Sequence, residues 1–252
     1  MFSLYVVSIE ERQSQRLNSF FKQNFFKDIP ERDIHIEGVK GGEITAKEYF
    51  NLAVHGRVKP LTPGELGCTL SHLEIYKKFL QTGDDFALIF EDDAIFPSTL
   101  TSYELLNQIK KIELEDCFLL SLGGVQMKVC RNVRGEFQKS KILSKTIIKI
   151  NPHFYNRVCY TFAYVIDRKM AEVLLAYHRK LRRADDWSYL YDFNPKAKIY
   201  MTNLIDHPVE QNIDNSYIES ERVKSSDILR SHYGYGISKQ IAKIKFKKFE
   251  LF

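Results

Sequence analysis

The sequence predicts an α/β fold in which helices flank a central sheet, and three observations support it. Residues 2–9 form an apolar, β-rich stretch, and a helical pattern follows over residues 10–26. Residues 86–90 are five consecutive apolar residues, as expected of a strand buried on both faces. Strand and helix patterns then alternate down to residue 200, which is typical of α/β proteins. With 252 residues, the chain is long enough to form one large core.

The helix that begins after Leu61 has the most complete start signal in the sequence. Thr62 is suited to the N-cap and Pro63 to the first helical position, and Glu65 falls three residues after the cap, as a capping box requires. Apolar residues then recur at helical spacing until Gly83, where we expect the helix to end. The pattern therefore predicts a helix that leads directly into the buried strand.

The remaining elements follow from the same kinds of pattern. A short strand is predicted over residues 34–37, whereas residues 40–59 show no clear period and are expected to be irregular. Residues 125–145 are polar and contain a glycine, so we expect a mobile loop there. The other predicted elements are helices over 101–111, 168–177 and 182–191 and strands over 117–122, 146–150, 160–166 and 195–200.

The composition is ordinary for a soluble globular protein, with 44% hydrophobic and 27% charged residues. The sequence contains no run of 18 apolar residues, and its first residues lack a signal-peptide pattern, so we expect a cytoplasmic protein. The four cysteines are scattered without an evident metal-ligand pairing. We therefore expect reduced thiols rather than disulfides or a zinc site.

The positive charge is concentrated near the C-terminus. Residues 238–252 contain five lysines and one acid, whereas the whole chain has a net charge of +5, so the body is nearly neutral. This distribution argues against a nucleic-acid partner. Ile237, Ile241, Ile244 and Leu251 recur at helical spacing among the lysines, a pattern that suits peripheral contact with an anionic membrane. A disordered, merely solubilising end is the alternative interpretation.

Three acids, Glu91, Asp92 and Asp93, follow the buried strand without a spacer. In open α/β sheets, ligands bind beyond the carboxyl ends of the strands. Adjacent carboxylates repel one another, and a divalent cation with a preference for oxygen ligands, such as Mg²⁺ or Mn²⁺, removes that repulsion. The motif predicts a metal-dependent phosphate site, with a solvated acidic turn as the alternative. No Gly-x-Gly-x-x-Gly or Walker motif is present, so dinucleotide and P-loop chemistry are not expected.

These features resemble glycosyltransferase family 25, the bacterial lipooligosaccharide galactosyltransferases, to which animal collagen galactosyltransferases are distantly similar. Four stretches carry the resemblance: the first strand with Arg12 and Arg16, residues 61–72 with their terminal Ser71-His72, residues 90–93, and residues 159–166. The second and third are the specific ones, and the resemblance covers about residues 2–220. In the fourth stretch the chain has Phe162 and Ala163 where the family usually has glycines, which would narrow the acceptor cleft.

The resemblance implies a GT-A type glycosyltransferase fold, with a Rossmann-like mixed sheet over residues 1–220 and a basic, amphipathic, helical C-terminal extension over residues 221–252. It also implies an inverting, metal-dependent transfer of a hexose, expected to be β-linked galactose, from a UDP-sugar to a lipooligosaccharide or lipopolysaccharide acceptor. Mn²⁺ or Mg²⁺ would be the cofactor. The expected location is the cytoplasmic side of the inner membrane of a Gram-negative bacterium, where a glycolipid acceptor would be found.

The resemblance also implies roles for individual residues. Asp93 is the first choice as metal ligand, and Asp92 and Glu91 are next. His207 could complete the site, although it could equally be an ordinary loop histidine. The general base would be Asp186 or Asp185, beside the only tryptophan, with an N-cap aspartate as the alternative. Tyr160, Thr161 and Tyr164 could contact sugar hydroxyls, with alternating residues of a core strand as the alternative. The residues expected to bind the nucleotide-sugar are Ser8, Arg12, Arg16, Ser71, His72, Glu91, Asp92, Tyr164 and Gln211.

Structural roles are the alternatives for several of these residues. Arg12 and Arg16 could line a solvated helix face, and Ser71 and His72 could be buried core residues. Two other functions also fit the pattern: a metal-dependent phosphoesterase, which would need a denser set of ligands, and a non-catalytic glycan- or lipid-binding module, which would tolerate the loss of Asp93.

Overall fold

The computed structural model describes residues 1–124, 130–208 and 236–249, and these contain a single mixed sheet flanked by helices. This arrangement confirms the predicted α/β fold of GT-A type. The strands are Phe2–Val7 (β1), Ile34–Glu37 (β2), Phe86–Glu91 (β3), Phe118–Gly123 (β4), Arg134–Ile142 (β5), Lys145–Ile150 (β6), Ala163–Asp167 (β7), Lys198–Ile205 (β8) and Lys247–Lys248 (β9). Their order across the sheet is β2-β1-β3-β7-β4-β8-β6-β5-β9.

Strand direction determines which residues meet at each edge of the sheet. β1 pairs in parallel with β2 and β3, and β4 pairs in parallel with β8. β7 lies between β3 and β4 and runs antiparallel to both. The carboxyl ends of β1, β3 and β8 therefore share one edge with the beginning of β7.

Helices cover both faces of the sheet and enclose two large apolar clusters. α3 and α5 pack over one cluster, which contains Tyr5, Tyr76 and Ile89, and α1 and α4 pack over the other, which contains Leu17, Leu88 and Phe90. The helices are Gln15–Phe21 (α1), Ala46–Tyr49 (α2), Pro63–Gln81 (α3), Ser102–Lys111 (α4), Arg168–Tyr177 (α5), Leu190–Phe193 (α6) and Gly236–Lys245 (α7).

The predicted start of α3 is confirmed in detail. Thr62 Oγ1 accepts a hydrogen bond from the Glu65 backbone N–H at 3.2 Å, and the Glu65 carboxylate accepts one from the Thr62 N–H at 3.0 Å. The helix predicted over residues 101–111 has the same reciprocal bonds at the start of α4, between Thr101 and Glu104. Both helices begin where the sequence predicted.

Several element predictions are wrong. The first helix begins at Gln15 rather than near residue 10, because the Ser14 side chain caps it. Residues 40–59 contain helical turns, including α2. The expected mobile loop contains, in its described part, the strand β5 and a turn to β6, in which Leu143 and Ser144 have φ values of 47° and 66°. A turn with two positive φ values normally uses Asn or Gly, so the sequence lacked the usual hairpin signal.

The region predicted as a helix over residues 182–191 is mostly irregular, and only the short helix α6 begins at its end. Trp187 is 1% exposed and anchors this segment in the core. The Tyr177 hydroxyl donates a hydrogen bond of 2.9 Å to the Asp186 carbonyl, which holds the chain in a turn instead of a helix.

The described part of the C-terminal extension is attached to the sheet. β9 pairs with β5, Phe249 is buried, and Arg134 donates hydrogen bonds to the Lys243 and Phe246 carbonyls at the end of α7. The isoleucine stripe of α7 nevertheless faces outward. Among the described residues, no helix is both long and apolar enough to cross a bilayer.

Gly67 lies in the second turn of α3, at a position where the neighbouring backbone leaves no room for a side chain. A Cβ atom at this position would lie 2.5 Å from the Val39 carbonyl oxygen and 2.7 Å from the Gly41 backbone nitrogen. Both neighbours are backbone atoms, which cannot rotate away as a side chain would. The glycine thus lets the segment after β2 pass directly against the helix.

We predict that Gly67→Ala destabilises the fold by about 1–3 kcal/mol, because overpacking outweighs the higher helix propensity of alanine. Urea unfolding followed by circular dichroism measures this change. Gly42→Ala is the matched control, since nothing lies within 4 Å of a Cβ atom there. Equal stabilities for the two variants would contradict the close-packing explanation.

Candidate active site

The side chains of the three acids at the end of β3 point in different directions, because successive residues of a strand face opposite sides of the sheet. Ile89 packs in the apolar cluster beneath α3, whereas Phe90 packs in the cluster beneath α1. Continuing the alternation, Glu91 turns toward α3 and Asp92 toward α1. Asp93 follows in a turn beyond the strand. Each carboxylate therefore meets a different set of partners.

Asp92 is bound by two side chains from the first strand–helix unit. The Ser8 hydroxyl donates to its Oδ2 at 2.5 Å, and Arg16 donates from Nη2 to its Oδ1 at 2.5 Å. The Asp92 side chain is 9% exposed. Burial raises the pKa of Asp92 and outweighs the lowering by Arg16 and Ser8. Ser8, Arg16 and Asp92 form one buried network that ties α1 to the end of β3.

Glu91 faces the opposite side of the sheet. Its Oε1 accepts a hydrogen bond of 2.5 Å from the Thr161 hydroxyl and lies 3.5 Å from His72 Nε2. Burial by itself raises the pKa of Glu91, but the neighbouring His72 and the Thr161 hydroxyl lower it, and the net shift is downward. Glu91 is thus favoured as a carboxylate in this position.

Asp93 meets His207, which lies just beyond β8. Ile95 and Asp206 exchange two backbone hydrogen bonds, of 2.8 and 2.9 Å, and this bridge brings the end of β8 beside the acids. His207 Nε2 lies 3.3 Å from Asp93 Oδ2, and His207 Nδ1 lies 2.8 Å from the Pro208 carbonyl oxygen. Burial lowers the pKa of His207, but Asp93 raises it more, so its pKa is raised overall.

The two candidate bases lie side by side in sequence but have different surroundings. The Asp185 carboxylate accepts a hydrogen bond of 3.3 Å from the Tyr160 backbone N–H, whereas the Asp186 carboxylate accepts one of 3.2 Å from the Ser188 N–H within its own turn. Tyr160 has a φ of 73°, in the left-handed region, and its ring centroid lies 5.4 Å from that of His207. Asp185 is therefore connected through Tyr160 to the Asp93–His207 pair.

Three other predicted residues, Arg12, Ser71 and Tyr164, make no hydrogen bond or ion pair with the three acids in the part of the chain that the structure describes. Arg12 donates to the Glu31 carbonyl at 2.7 Å and does not join Arg16. Ser71 is buried, and its hydroxyl accepts from the Val39 N–H and donates to the Gly67 carbonyl, as expected of a core residue. Tyr164 is buried, and its hydroxyl oxygen lies 2.7 Å from His72 Nδ1. Gln211 lies outside the described residues.

Cys68 is the site neighbour that the sequence analysis missed. It lies one helical turn before His72 on α3, and its sulfur, a His72 ring nitrogen and a Glu91 oxygen lie within 4.8 Å of one another. The spacing of four residues between Cys68 and His72 was the available signal, because residues four apart share a helix face. Their third neighbour, Glu91, lies on β3, so no sequence spacing on α3 could have indicated it.

Asp93 and His207 fit a divalent cation on chemical grounds. Asp93 Oδ1 is buried and has no hydrogen-bond partner among the described residues, which is costly for a carboxylate oxygen. His207 Nδ1 is held by the Pro208 carbonyl, leaving Nε2 facing the carboxylate, and metal-binding histidines are commonly oriented in this way. Oxygen and imidazole ligands together suit Mn²⁺.

Comparison with known proteins gives a family match over most of the chain. The family described as "Glycosyltransferase family 25 (LPS biosynthesis protein)" matches residues 1–192. The chain is 26% identical over 187 residues to "Procollagen galactosyltransferase 1" of Danio rerio. That alignment covers 69% of this chain and 28% of the Danio rerio protein. It is 26% identical over 102 residues to a "Glycosyltransferase 25 family member" of Anopheles gambiae, which covers 37% of this chain and 17% of that protein.

The chain thus spans less than a third of the length of these curated relatives. The family match, however, extends from the first strand through the acidic motif and the two candidate bases. The chain belongs to glycosyltransferase family 25.

Proposed function

We propose that this chain transfers galactose from UDP-galactose to a lipooligosaccharide or lipopolysaccharide sugar, with inversion to a β-linkage. The observation that carries the proposal is Oδ1 of Asp93, which is buried and has no hydrogen-bond partner in the described part of the chain, beside the ring of His207 where the carboxyl ends of β3 and β8 meet. The family match and the name of the Danio rerio relative support the sugar. The family description supports the acceptor class.

Asp93 and His207 would hold Mn²⁺ or Mg²⁺ in this proposal. The bound cation supplies positive charge that stabilises a departing UDP. The Ser8–Arg16–Asp92 network has a positioning role, since it fixes the end of β3 and with it the backbone that bears Asp93. Asp92 has both oxygens hydrogen-bonded, so it is the weaker candidate for direct ligation.

Asp185 is the proposed general base. An inverting transfer needs a carboxylate that takes the proton from the acceptor hydroxyl as this oxygen attacks the sugar. Asp185 is linked to the metal pair through Tyr160, whereas the Asp186 carboxylate is used within its own turn. The Tyr160 N–H donates to the Asp185 carboxylate and thereby orients it.

We expect purified protein to release UDP from UDP-galactose in the presence of Mn²⁺, with at least about a 100-fold decrease in Asp93→Asn. UDP release from a panel of UDP-sugars, with and without Mn²⁺, measures this activity. Asp116→Asn is the control, because Asp116 is an exposed carboxylate at the opposite edge of the sheet. Binding of UDP–Mn²⁺ by a chain that turns over no donor, even with acceptor, would favour a binding module, and failure to bind UDP at all would overturn the proposal.

The neighbouring acids provide a matched pair for testing the base. We expect Asp185→Asn to reduce transfer to acceptor by about 10²–10⁴-fold while retaining UDP–Mn²⁺ binding. Asp186→Asn should remain near the wild-type rate, since an asparagine oxygen can still accept from the Ser188 N–H. Single-turnover assays with wild type and both variants make the comparison. The reverse ranking would assign the base to Asp186.

A peripheral membrane location is the second part of the proposal, on the cytoplasmic face of the inner membrane. Ile237, Ile241 and Ile244 of α7 are 79%, 57% and 88% exposed and recur on one helix face. Lysines flank them, while Ala242 is buried on the side that contacts the body of the protein. An apolar stripe bordered by lysines suits the surface of an anionic bilayer.

We expect the chain to co-sediment with vesicles containing anionic phospholipid and to bind neutral vesicles more weakly. Replacing Ile237, Ile241 and Ile244 together by serine should weaken this binding by at least about tenfold, because it removes the apolar contact. A triple serine variant of exposed residues outside the C-terminal extension and away from the strand that pairs with it, Phe50, Val58 and Tyr103, is the control. Unchanged vesicle binding by the α7 variant would refute the assignment of this face.

A further inference from the structure

Three side chains of different chemistry converge between α3 and the end of β3. Cys68 and His72 lie one turn apart on the same face of α3, and Glu91 is the last residue of β3. One potential ligand atom from each lies within 4.8 Å of the other two. A thiol, an imidazole and a carboxylate are the three types of side chain that bind Zn²⁺ in proteins.

His72 has the orientation that a metal-binding histidine requires. Its Nδ1 lies 2.7 Å from the Tyr164 hydroxyl, which in turn lies 2.8 Å from the Tyr76 hydroxyl. Its Nε2 is buried, makes no hydrogen bond within the described part of the chain, and points toward Glu91. Metal-ligating histidines usually donate their other ring N–H to a fixed partner, and Tyr164 is such a partner.

The distances are close to those of a zinc site. Tetrahedral coordination with Zn–N and Zn–O bonds of about 2.0 Å places the two ligand atoms about 3.3 Å apart. His72 Nε2 and Glu91 Oε1 are 3.5 Å apart. The separations of the Cys68 sulfur from the other two ligand atoms, at most 4.8 Å, would each need to shorten by no more than about 1.2 Å to reach the value of about 3.6 Å that zinc requires. Thr161 donates to Glu91 Oε1 and fixes that carboxylate.

We propose that Cys68, His72 and Glu91 form a second cation site, suited to Zn²⁺, through Cys68 Sγ, His72 Nε2 and a Glu91 oxygen. Binding releases the Cys68 thiol proton to solvent, because the thiolate is the ligand. Thiolate and imidazole favour Zn²⁺, whereas the carboxylate and imidazole of Asp93 and His207 suit Mn²⁺. The ion joins α3 to the end of β3, so it stabilises the turn that bears Asp92 and Asp93.

Cobalt(II) is the probe, because thiolate coordination gives it a charge-transfer absorption in the near ultraviolet that oxygen and nitrogen ligands do not give. We expect the 252-residue chain to develop this absorption at one equivalent of Co²⁺ and to lose it when Zn²⁺ is added. Zn²⁺ should also raise the melting temperature. Cys68→Ser should abolish both effects, whereas Cys117→Ala, which removes a thiol at the opposite edge of the sheet, should retain them.

Two further variants separate this site from the proposed catalytic one. Asp93→Asn should keep the thiolate–cobalt absorption although it loses Mn²⁺-dependent turnover, and Glu91→Gln should weaken Zn²⁺ binding by at least tenfold. Circular dichroism establishes that each variant is folded. Absence of the thiolate absorption in the wild type, or its persistence in folded Cys68→Ser, would overturn the zinc site and leave the proposed transferase activity unaffected.

Discussion

The charge at the end of β3 is the constraint on which the rest of the site depends. Three consecutive carboxylates would repel one another if they shared one environment. The strand's alternation sends Glu91 to His72 and Thr161 beneath α3, and Asp92 to Ser8 and Arg16 beneath α1. Asp93 is left for His207. Each acid thereby gains partners from different elements. Together these contacts hold α1, α3 and the ends of β1, β7 and β8 against the end of β3 at one edge of the sheet.

Sheet topology makes these partnerships possible. β1, β3 and β8 point toward the same edge, and β7 begins there because it runs in the opposite direction between β3 and β4. The segment before β7 can therefore supply Thr161 to Glu91 and Tyr160 to both Asp185 and His207. The left-handed backbone of Tyr160 is a local strain at the point where these contacts meet.

A structural feature could be predicted from the sequence when the residues that cause it are close together in the chain. Helix starts with reciprocal caps, such as Thr62 with Glu65, and strands buried on both faces depend on adjacent residues, and the sequence predicted both. The hairpin of β5 and β6 was missed because Leu143 and Ser144 adopt positive φ without the usual residues. The Asp92–Arg16 and Asp93–His207 pairs were predicted only as separate candidates, since residues 76 and 114 positions apart meet through the tertiary fold.

Contacts between residues distant in sequence also decide which carboxylate oxygens are left without a hydrogen bond and could therefore bind a ligand. Asp92 was the second choice of metal ligand in sequence, yet both of its oxygens are bound, by Ser8 and Arg16. Asp93 retains a buried oxygen without a hydrogen bond among the described residues. An unbonded buried oxygen costs free energy unless a ligand satisfies it, whereas a fully bonded one gains little from a ligand. The structure thus distinguishes adjacent acids of identical chemistry by the hydrogen bonds that their neighbours already make.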